Sequence, residues 1–411
     1  MYEKLIHIAI PSMDEFELLP NTIECIKKQK AEHYNIFVCI NQPDVWWKDA
    51  NKQSICFNNQ NTLDYLNEQK AKMPNLFIID KSSKGKGWRL KHSGVGHARK
   101  VLMDAIVEKA NDNDIIVSMD ADVEVSSNYL ASVEKIFGRN PKAVALANPY
   151  YHRLSGIEDI DRNMLRYEIY MRSYTINMLR INSPYSFTAF GSVISLPVWA
   201  YRKIRGITPK SSGEDFYLLQ KLRKMGTVLL HNDEIVYPAT RISHRVPFGT
   251  GPAISKSMDD LQASYPIFHH SFFDEISETY KLFEELFHKD TQTPMTDFFS
   301  HIFKSDDIYT PLRNNFKSRE KFIHACHNKV DGLRVFQYLK WRSASNKISE
   351  NKSLDDLLEL LYKNGLIQKE DIKPVCFLSS GINEINTCRD LLFRVESVLR
   401  KEHYNDQSKQ I

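Results

Sequence analysis

The first 250 residues alternate short apolar runs with amphipathic stretches. The strands predicted from the apolar runs are 5–10, 35–40, 76–79 and 114–119, and helical spacing predicts helices at 21–29 and 95–109. Strands that alternate with helices are typical of a layered α/β domain. The run at 114–119 is apolar over most of its length, as expected for a strand buried on both faces.

The pattern changes after about residue 252, where helical periodicity dominates. One example is the leucine stripe Leu354, Leu357, Leu358 and Leu361, which follows a candidate cap at Ser353. A chain of 411 residues is long enough for two or three domains. We therefore expect an α/β domain at 1–252, a mostly helical accessory domain at 253–400 and a flexible polar tail at 401–411.

Composition and charge exclude several classes of protein. Hydrophobic residues make up 42% and charged residues 26% of the chain, which is ordinary for a globular protein. The formal net charge of +4 is too small to predict nucleic-acid binding. The six cysteines are scattered and are expected to be reduced thiols.

No transmembrane segment is expected. The apolar stretch near the N-terminus is too short for a secretory signal, and the longest uncharged run, 181–201, contains prolines, serines and an asparagine. The expected location is therefore the cytoplasm. Peripheral membrane contact stays open, as does oligomerisation through the helical region, although its mixed charges favour protein contact over lipid.

Polar clusters follow three of the predicted strands. They are 12–15, 41–44 and 120–122. In open α/β sheets, ligands bind outside the carboxyl ends of the strands. The convergence of three polar clusters at such ends predicts a binding site there.

The sequence Asp120-Ala-Asp122 follows the most apolar strand. Two carboxylates so close together repel one another unless a cation lies between them. Mg2+ or Mn2+ accepts one or two carboxylates together with phosphate oxygens, and such an ion neutralises charge on a diphosphate leaving group. The alternative is a solvated turn.

The pair Glu214-Asp215 follows Gly213 at the start of a predicted helix. Acidic residues at a helix N-terminus often do no more than favour the helix dipole. In the functional interpretation, Asp215 is a general base that takes the proton of an attacking hydroxyl.

Other candidates are less distinctive. His244 could complete a metal site, with His231 as the competing candidate, and either could equally be a packed histidine. Arg99 lies at a helix start after the glycines of 93–100, where backbone could approach phosphate. The glycine-containing segment 248–251 is either a hinge or a lid, and the basic loop 84–91 is either solvated surface or a phosphate attractant.

Together these segments resemble family 2 glycosyltransferases with the GT-A fold, over about the first 250 residues. The resemblance is carried by Ile10-Pro-Ser-Met-Asp14-Glu15, Ala98-Arg99-Lys100, Asp120-Ala-Asp122, Phe190-Gly-Ser192, Glu214-Asp215 and His244, in that order. It implies a Rossmann-like nucleotide-diphospho-sugar transferase sheet with helices on both faces.

The resemblance also implies an activity: inverting transfer of a sugar from a nucleotide-sugar, most often a UDP-sugar, assisted by Mn2+ or Mg2+. The implied acceptor is a glycan or a lipid-linked sugar. The residues implied to bind the donor are Pro11, Ser12, Glu15, Asn41, Arg99, Asp120 and Gly191. The implied metal ligands are Asp120, Asp122 and His244, and the implied catalytic pair is Asp215 as base with Glu214.

The chain departs from the family at Asp14 and Lys100, where asparagine is usual. The signature Q-x-x-R-W of processive synthases is missing, which favours a single addition over polymerisation. Tyr167 and Tyr170 are expected, from their position alone, to help shape the acceptor side. The competing functions are a nucleotidyltransferase and a non-catalytic nucleotide-sugar or glycan-binding module.

Overall fold

The computed structural model describes residues 4–210, 213–241, 253–305 and 307–410. These residues form two compact units. The first, the sheet unit, comprises residues 1–164, 187–255 and 400–411, and the second, the helical unit, comprises residues 165–186 and 256–399.

The sheet unit is built on a mixed sheet of seven strands in the order β3-β2-β1-β4-β7-β6-β8, with a two-stranded sheet formed by β5 and β9. The strands are β1 Ile6–Ser12, β2 Tyr34–Asn41, β3 Leu76–Lys81, β4 Ile115–Ser118, β5 Val123–Glu124, β6 Ala145–Ala147, β7 Ile194–Pro197, β8 Val228–Leu229 and β9 Tyr237–Pro238. Strands β1 to β4 run parallel to one another, and β7 is antiparallel to both β4 and β6.

Helices flank this sheet. They are α1 Leu19–Lys27, α2 Gln53–Lys70, α3 Val95–Val107, α4 Tyr129–Arg139, α6 Val198–Lys203 and α7 Glu214–Met225, and helix α5, Glu158–Arg180, begins here and continues in the helical unit. Short 3-10 turns occupy Asp44–Lys48, Ala50–Lys52, Leu90–His92 and Gly191–Val193. The helix α3 packs on β1 and β2, so its first turn lies near the carboxyl ends of the parallel strands.

All four strands predicted from the apolar runs are present, with bounds shifted by a few residues. Every residue of β1 and β4 is buried, as the apolar pattern predicts for central parallel strands. The outer strand β3 has only Leu76 fully buried. Helix α2 was not predicted, because its apolar residues form only a weak stripe among asparagines and glutamines.

The helical unit confirms the prediction of a mostly helical C-terminal region. Its helices are Met258–Ser264, His270–Lys281, Phe283–Leu286, Thr296–Phe303, Thr310–Asn315, Arg319–Lys329, Gly332–Ser345, Glu350–Lys363 and most of Ile382–Gln410, together with the later part of α5. The leucine stripe from Leu354 to Leu361 is buried as predicted, and Ser349, rather than Ser353, caps that helix by accepting from the Lys352 backbone N–H.

A buried ion-pair network crosses the interior of the helical unit. Arg172 pairs with Glu168 one turn earlier and with Glu396 at 2.7 Å, while Arg389 pairs with Glu168 at 2.9 Å. All four side chains are almost completely buried. The network therefore fixes which faces of α5 and the C-terminal helix meet, because a misaligned packing would leave a buried charge without its partner.

The last residues of the chain are helical up to Gln410 and belong to the sheet unit, although their polar sequence predicts a flexible tail. The side chain of Gln407 donates to the backbone oxygen of Val228 at 2.9 Å, and Tyr404 accepts from Asn140 at 3.2 Å. These bonds anchor the polar segment against the sheet.

Within the described part of the chain, none of the helices has both the length and the apolar character needed to cross a membrane.

Candidate active site

Three parallel strands bring their carboxyl ends to one edge of the sheet. Ser12, the last residue of β1, is in register with Ile40 of β2, and Ala9 of β1 with Ser118 of β4. The side chain of Asn41 donates to the backbone oxygen of Ser12 at 2.9 Å and ties the ends of β1 and β2 together. The predicted convergence of polar residues at this edge is therefore present.

The centre of this edge is the guanidinium group of Arg99, which is 4% exposed. Its Nε donates to Oε1 of Glu214 at 2.8 Å, and its Nη2 donates to Oδ1 of Asp120 at 2.5 Å. Its Nη1 donates to the hydroxyl of Ser118 and to the backbone oxygen of Gly191, the latter at 3.1 Å. One side chain from the second turn of α3 thus joins the end of β4, the start of α7 and the turn before β7.

Charge balance explains why a buried arginine is tolerated here. Burial alone would lower the pKa of Arg99, but the carboxylates of Asp120, Glu214 and Asp215 more than offset that effect and raise it. The guanidinium is therefore permanently charged and serves as the counter-ion of the acidic residues around it. The adjacent Lys100 pairs instead with Asp104 at 2.7 Å and takes no part in this network.

Gly191 is required by the position of Arg99. A Cβ atom at residue 191 would lie 2.1 Å from Nη2 and 2.6 Å from Cζ of Arg99. The guanidinium group cannot move away without losing its bonds to Asp120 and Glu214. Only glycine therefore fits at this position of the Phe190-Gly-Ser192 turn.

We expect Gly191→Ala to destabilise the protein by about 1–3 kcal/mol, the usual cost of forcing an extra methyl group into a packed interior. Urea unfolding at pH 7 measures this loss. The matched control is Gly138→Ala, where a Cβ meets no atom within 4 Å and helix α4 gains a better helix former. Equal stability of Gly191→Ala and the native chain would contradict the close approach of Arg99.

Each carboxylate of the Asp120-Ala-Asp122 sequence is neutralised by an arginine. Asp120 accepts from Arg99 through Oδ1 and from the hydroxyl of Ser192 through Oδ2. Asp122 Oδ2 accepts from Arg241 Nη2 at 2.8 Å, and the same Nη2 donates to Oε2 of Glu15 at 2.5 Å. Two half-buried carboxylates, two residues apart after β4, are thus stabilised by protein cations.

Among the described residues, Asp120 and Asp122 alone do not complete the coordination of a divalent ion. Across residues 4–210, 213–241, 253–305 and 307–410, no group of three His, Cys, Asp or Glu side chains is gathered to hold an ion. Asp120 and Asp122 supply two carboxylates, and Mg2+ is commonly held by one or two carboxylates plus substrate phosphates. The donor set therefore suits an ion that arrives with a diphosphate.

The local electrostatics favour an additional cation near Asp122. Burial is the largest influence and raises the pKa of Asp122, and the neighbouring Asp120 raises it further, while Arg241 and His152 lower it. The raised pKa means that Arg241 alone does not compensate the burial of the Asp122 carboxylate. A second positive charge would favour the ionised form.

Asp215 is half-buried in the first turn of α7, next to Glu214, which is buried and paired with Arg99. Burial, followed by repulsion from Glu214, raises the pKa of Asp215 to about 7, although Arg99 lowers it. Its Oδ1 accepts from the backbone N–H of Phe216 at 2.7 Å, which leaves the second oxygen for another partner. A carboxyl that titrates near neutral pH has the property expected of a general base.

Two further features of the edge are relevant to ligand binding. The hydroxyl of Ser12 is buried and has no hydrogen-bond partner among the described residues. Asp14 has a positive φ of 59°, a left-handed conformation that asparagine and aspartate adopt more readily than other side chains, and its backbone N–H donates to Asn59 at 2.8 Å. Aspartate is therefore compatible with this turn.

An open pocket of about 200 Å³ begins beside Asp122. The side chain of Arg153 lies 4.4 Å from the ring centroid of Tyr237 on its wall and pairs with Glu124. The lining residues are Leu18, Asn21, Thr22, Asp122, Val123, Glu124, Arg153, Leu154, Ser155, Tyr237, Pro238, Ala239 and Thr240. The pocket offers space for a ligand next to the Asp122 carboxylate.

Some of the predicted residues are not part of this cluster. His244 and the segment 248–251 lie outside the described residues. His231, the competing histidine, packs edge-on against Tyr404 with 4.7 Å between ring centroids and lies near Asp233. Pro11 is a buried residue of β1 whose register partner is Cys39.

The two tyrosines expected on the acceptor side, Tyr167 and Tyr170, are buried in the helical unit. Their rings contact Tyr265, with centroid distances of 5.0 and 5.6 Å. They lie on the apolar face of α5, so packing accounts for their positions.

Two residues near the carboxylates, Arg241 and His152, are not distinguished by any local sequence pattern. Arg241 pairs with Asp122 and Glu15, and its only signal was its place three residues before His244. His152 is fully buried, lies edge-on to Phe190 at 5.9 Å between ring centroids, and is near enough to Asp122 to influence the pKa of that carboxyl. Nothing in the pattern around His152 distinguishes it from a packed core histidine.

No family model and no curated protein matches the chain. Among solved structures, it is similar to S. aureus TarS 1–349 in complex with UDP-GlcNAc, with 12% identity and a TM-score of 0.41 over 95% of this chain and 90% of that chain. It is also similar to the mannosyltransferase PcManGT from Pyrobaculum calidifontis in complex with GDP-Man and Mn2+, with 12% identity and a TM-score of 0.38 over 96% and 86% of the two chains.

A third similar structure is glucosyl-3-phosphoglycerate synthase from Mycobacterium tuberculosis in complex with Mn2+, UDP and glucosyl-3-phosphoglycerate, with 10% identity and a TM-score of 0.35 over 67% of this chain and 80% of that chain. Similarities this distant assign no ligand and no residue role to this chain. Its function must be inferred from the geometry of its own site.

Proposed function

We propose that this protein is an inverting glycosyltransferase that moves a sugar from a nucleotide-diphosphate sugar to an acceptor hydroxyl, with Asp215 as general base. The observation that carries the proposal is the placement of Asp215, whose pKa is about 7, beside the buried Arg99–Glu214–Asp120 network. A carboxyl group that titrates near neutral pH is suited to proton transfer. Asp215 also lies at the carboxyl-end edge of an α/β sheet, where ligands commonly bind.

The proposed reaction is a single displacement. The ionised carboxylate of Asp215 takes the proton of the acceptor hydroxyl while that oxygen forms a bond to the anomeric carbon of the donor sugar. The bond between the anomeric carbon and the diphosphate oxygen breaks at the same time, and the nucleoside diphosphate leaves with its electron pair. The products are the glycosylated acceptor, the nucleoside diphosphate and a protonated Asp215.

In this proposal, Arg99 and Glu214 position the base. The bond from Arg99 Nε to Glu214 fixes the first turn of α7, and Glu214 in turn raises the pKa of its neighbour Asp215. Arg99 makes its hydrogen bonds to protein groups, so its role is to hold the site together rather than to contact a phosphate.

The groups proposed to meet the donor are the buried hydroxyl of Ser12, the carboxylates of Asp120 and Asp122, and the Gly191 turn. A Mn2+ or Mg2+ ion, when bound, would neutralise charge on the diphosphate. Asp120 and Asp122 would hold it, with His244 as a proposed third ligand from outside the described residues. The UDP-sugar donor and the glycan or lipid-linked acceptor follow from the family resemblance and belong to the same proposal.

The test is a thermal-shift screen of UDP, GDP, CDP and TDP, each with and without Mn2+. A ligand that binds only the folded protein raises the melting temperature according to its concentration relative to Kd. We expect one nucleotide to raise the melting temperature in the presence of Mn2+ and to do so much less without it.

The variant Asp122→Asn should lose the Mn2+-dependent part of this shift, because an amide is a weaker ligand for a divalent ion than a carboxylate. The control is Asp233→Asn, whose carboxylate is exposed and lies near His231 in the same unit. An Asp122→Asn shift equal to that of the native chain would contradict the metal assignment. No shift with any nucleotide would argue against the proposed function and would favour a non-catalytic glycan-binding module instead.

A further inference from the structure

Two loops at the carboxyl ends of β2 and β3 are joined into one surface. The backbone N–H of Trp88 donates to Gln42 and that of Asp44 donates to Trp88, both at 2.9 Å. The indole of Trp47 donates to the backbone oxygen of Ser82 at 2.9 Å. A Cβ atom at Gly87 would lie only 2.7 Å from the Cα of Asp44, so the loops pack directly against each other.

This surface exposes large apolar side chains to solvent. Val45 is 52% exposed, Phe57 is 58% exposed and Leu90 is 62% exposed. Trp46 and Trp47 are half-exposed, and the Trp47 and Phe57 ring centroids are 6.0 Å apart. Large apolar side chains gathered on a surface commonly mark an interaction site.

Basic side chains surround the apolar ones. Lys48, Lys84, Arg89 and Lys91 are exposed, and the ammonium of Lys52 lies 5.3 Å from the Trp46 ring centroid. Of the nearby acidic residues, Asp80 is already paired with Lys86 at 2.9 Å, and Asp44 accepts from the backbone of Gly85 at 2.6 Å. Asp49 is exposed and accepts from the backbone N–H of Asn51 at 3.0 Å, so the basic side chains outnumber it. We name this surface the aromatic-basic patch: Val45, Trp46, Trp47, Lys48, Lys52, Phe57, Lys84, Arg89, Leu90 and Lys91.

We propose that the aromatic-basic patch docks the protein on the surface of an anionic membrane. Tryptophan is favoured at the boundary between headgroups and acyl chains, and apolar side chains beside it gain free energy by insertion. Lysine and arginine next to an anionic leaflet each contribute favourable electrostatic energy. The exposed apolar side chains would be stabilised by contact with an apolar phase, and the surrounding lysines by contact with negative charge. An anionic bilayer provides both.

The aromatic-basic patch lies at the edge of the sheet that carries the candidate active site. Its loops follow β2 and β3, so they lie at the same edge of the sheet as Ser12 and Asp120. Docking through the patch would bring that edge close to the membrane surface, where a lipid-linked acceptor resides. The membrane contact itself does not depend on the proposed transferase activity.

The experiment is co-sedimentation of the full chain with vesicles of phosphatidylcholine alone or of phosphatidylcholine mixed with phosphatidylglycerol. We expect binding to the anionic vesicles, weakened by high salt, and little binding to phosphatidylcholine alone. The triple variant K48Q/K84Q/K91Q should bind the anionic vesicles roughly a hundredfold more weakly, since each basic residue near the surface contributes about 1 kcal/mol.

A second variant, F57S/L90S, tests the apolar part and should weaken binding about tenfold or more without changing its salt dependence. The controls lie in the helical unit: K363Q/K369Q/K373Q removes three exposed lysines, and Leu378→Ser removes a leucine that is 71% exposed. Both controls should bind as the native chain does.

Several results would overturn the proposal. These are no binding to either vesicle, equal binding to both, or patch variants that bind as the controls do. Loss of the nucleotide-induced thermal shift in the patch variants would instead assign the patch to the donor site. Retention of that shift, with vesicle binding lost, supports the membrane contact and shows that the variants are folded.

Discussion

Replacing Asp215 with asparagine is expected to reduce kcat by about 10²–10⁴, the usual contribution of general-base catalysis, while nucleotide binding is retained. The amide has nearly the shape of the carboxyl and can still accept the backbone N–H of Phe216, so helix α7 should be unchanged. It cannot take a proton from the acceptor. Turnover is measured with the nucleotide identified by the thermal-shift screen, supplied as its sugar conjugates.

The pH profile separates a base from a structural residue. Because the pKa of Asp215 is raised to about 7, the fraction of ionised base in the native enzyme should increase as pH rises through neutrality. The rate should therefore rise with pH and level off above about pH 8. The variant Asp215→Asn should lose this dependence, whereas the control Asp233→Asn should keep it.

The contribution of Asp215 to the free energy of unfolding should fall with rising pH, whereas the reaction rate should increase. The folded state binds the Asp215 proton more tightly than the unfolded chain does, because the pKa rises from its ordinary value of 3.8 to about 7. This contribution is fully present below about pH 4 and is lost as pH rises through about 7. Asp215→Asn should therefore melt at a higher temperature than the native protein at pH 8 and at nearly the same temperature at pH 4.

Equal turnover of the Asp215→Asn variant and the native enzyme would refute the catalytic role of Asp215.

The second large effect is expected from Arg99→Met, which should destabilise the protein by about 3–5 kcal/mol at pH 7. The substitution leaves Glu214, a buried carboxylate, and Asp120 without their shared counter-ion. Arg99→Lys should recover only part of the loss, because one ammonium group cannot reach Glu214, Asp120, Ser118 and Gly191 together. Urea unfolding at pH 7 gives the free energies.

The control is Arg153→Met, which breaks the pair with Glu124, a bridge whose two side chains are 60% and 52% exposed. Exposed ion pairs contribute about 0–1 kcal/mol, so this variant should be close to the native protein. The destabilisation in Arg99→Met should shrink as pH falls and protonation removes the unpaired negative charges. A loss below about 1 kcal/mol would mean that Arg99 is not the central support of the site.

The parallel part of the sheet was predictable because its signal is local. The strands β1, β2, β3 and β4 are short apolar runs bounded by polar residues, and helices α1 and α3 between them have apolar periodicity. Parallel strands connected in this way place their carboxyl ends at one edge, so the gathering of Ser12, Asn41 and Asp120 followed from the order of elements. The antiparallel strand β7 lacks such a signal, because its position depends on pairing with β4, which is distant in the chain.

Residues that act through distant partners were not predictable in the same way. Arg99 was expected to help bind the donor, and the structure surrounds its side chain with Glu214, Asp120 and the backbone of Gly191. Arg241 lies more than a hundred residues from Asp122, with which it pairs. No local pattern encodes such pairs, because they exist only after the chain has folded.

In the helical unit, too, a local pattern was predictable from the sequence and distant charge pairs were not. The leucine stripe of Glu350–Lys363 was readable from its spacing, since amphipathic periodicity is a property of the helix itself. The burial of Arg172 and Arg389 was not, because charged residues are normally exposed unless a partner is supplied by another element. Sequence alone determined the parallel strands, the helical character of the later region and the positions of Asp120, Asp122 and Asp215 at element ends. Tertiary structure decided the charge partners and the pKa of Asp215, because burial and electrostatic interaction depend on distances in space rather than along the chain.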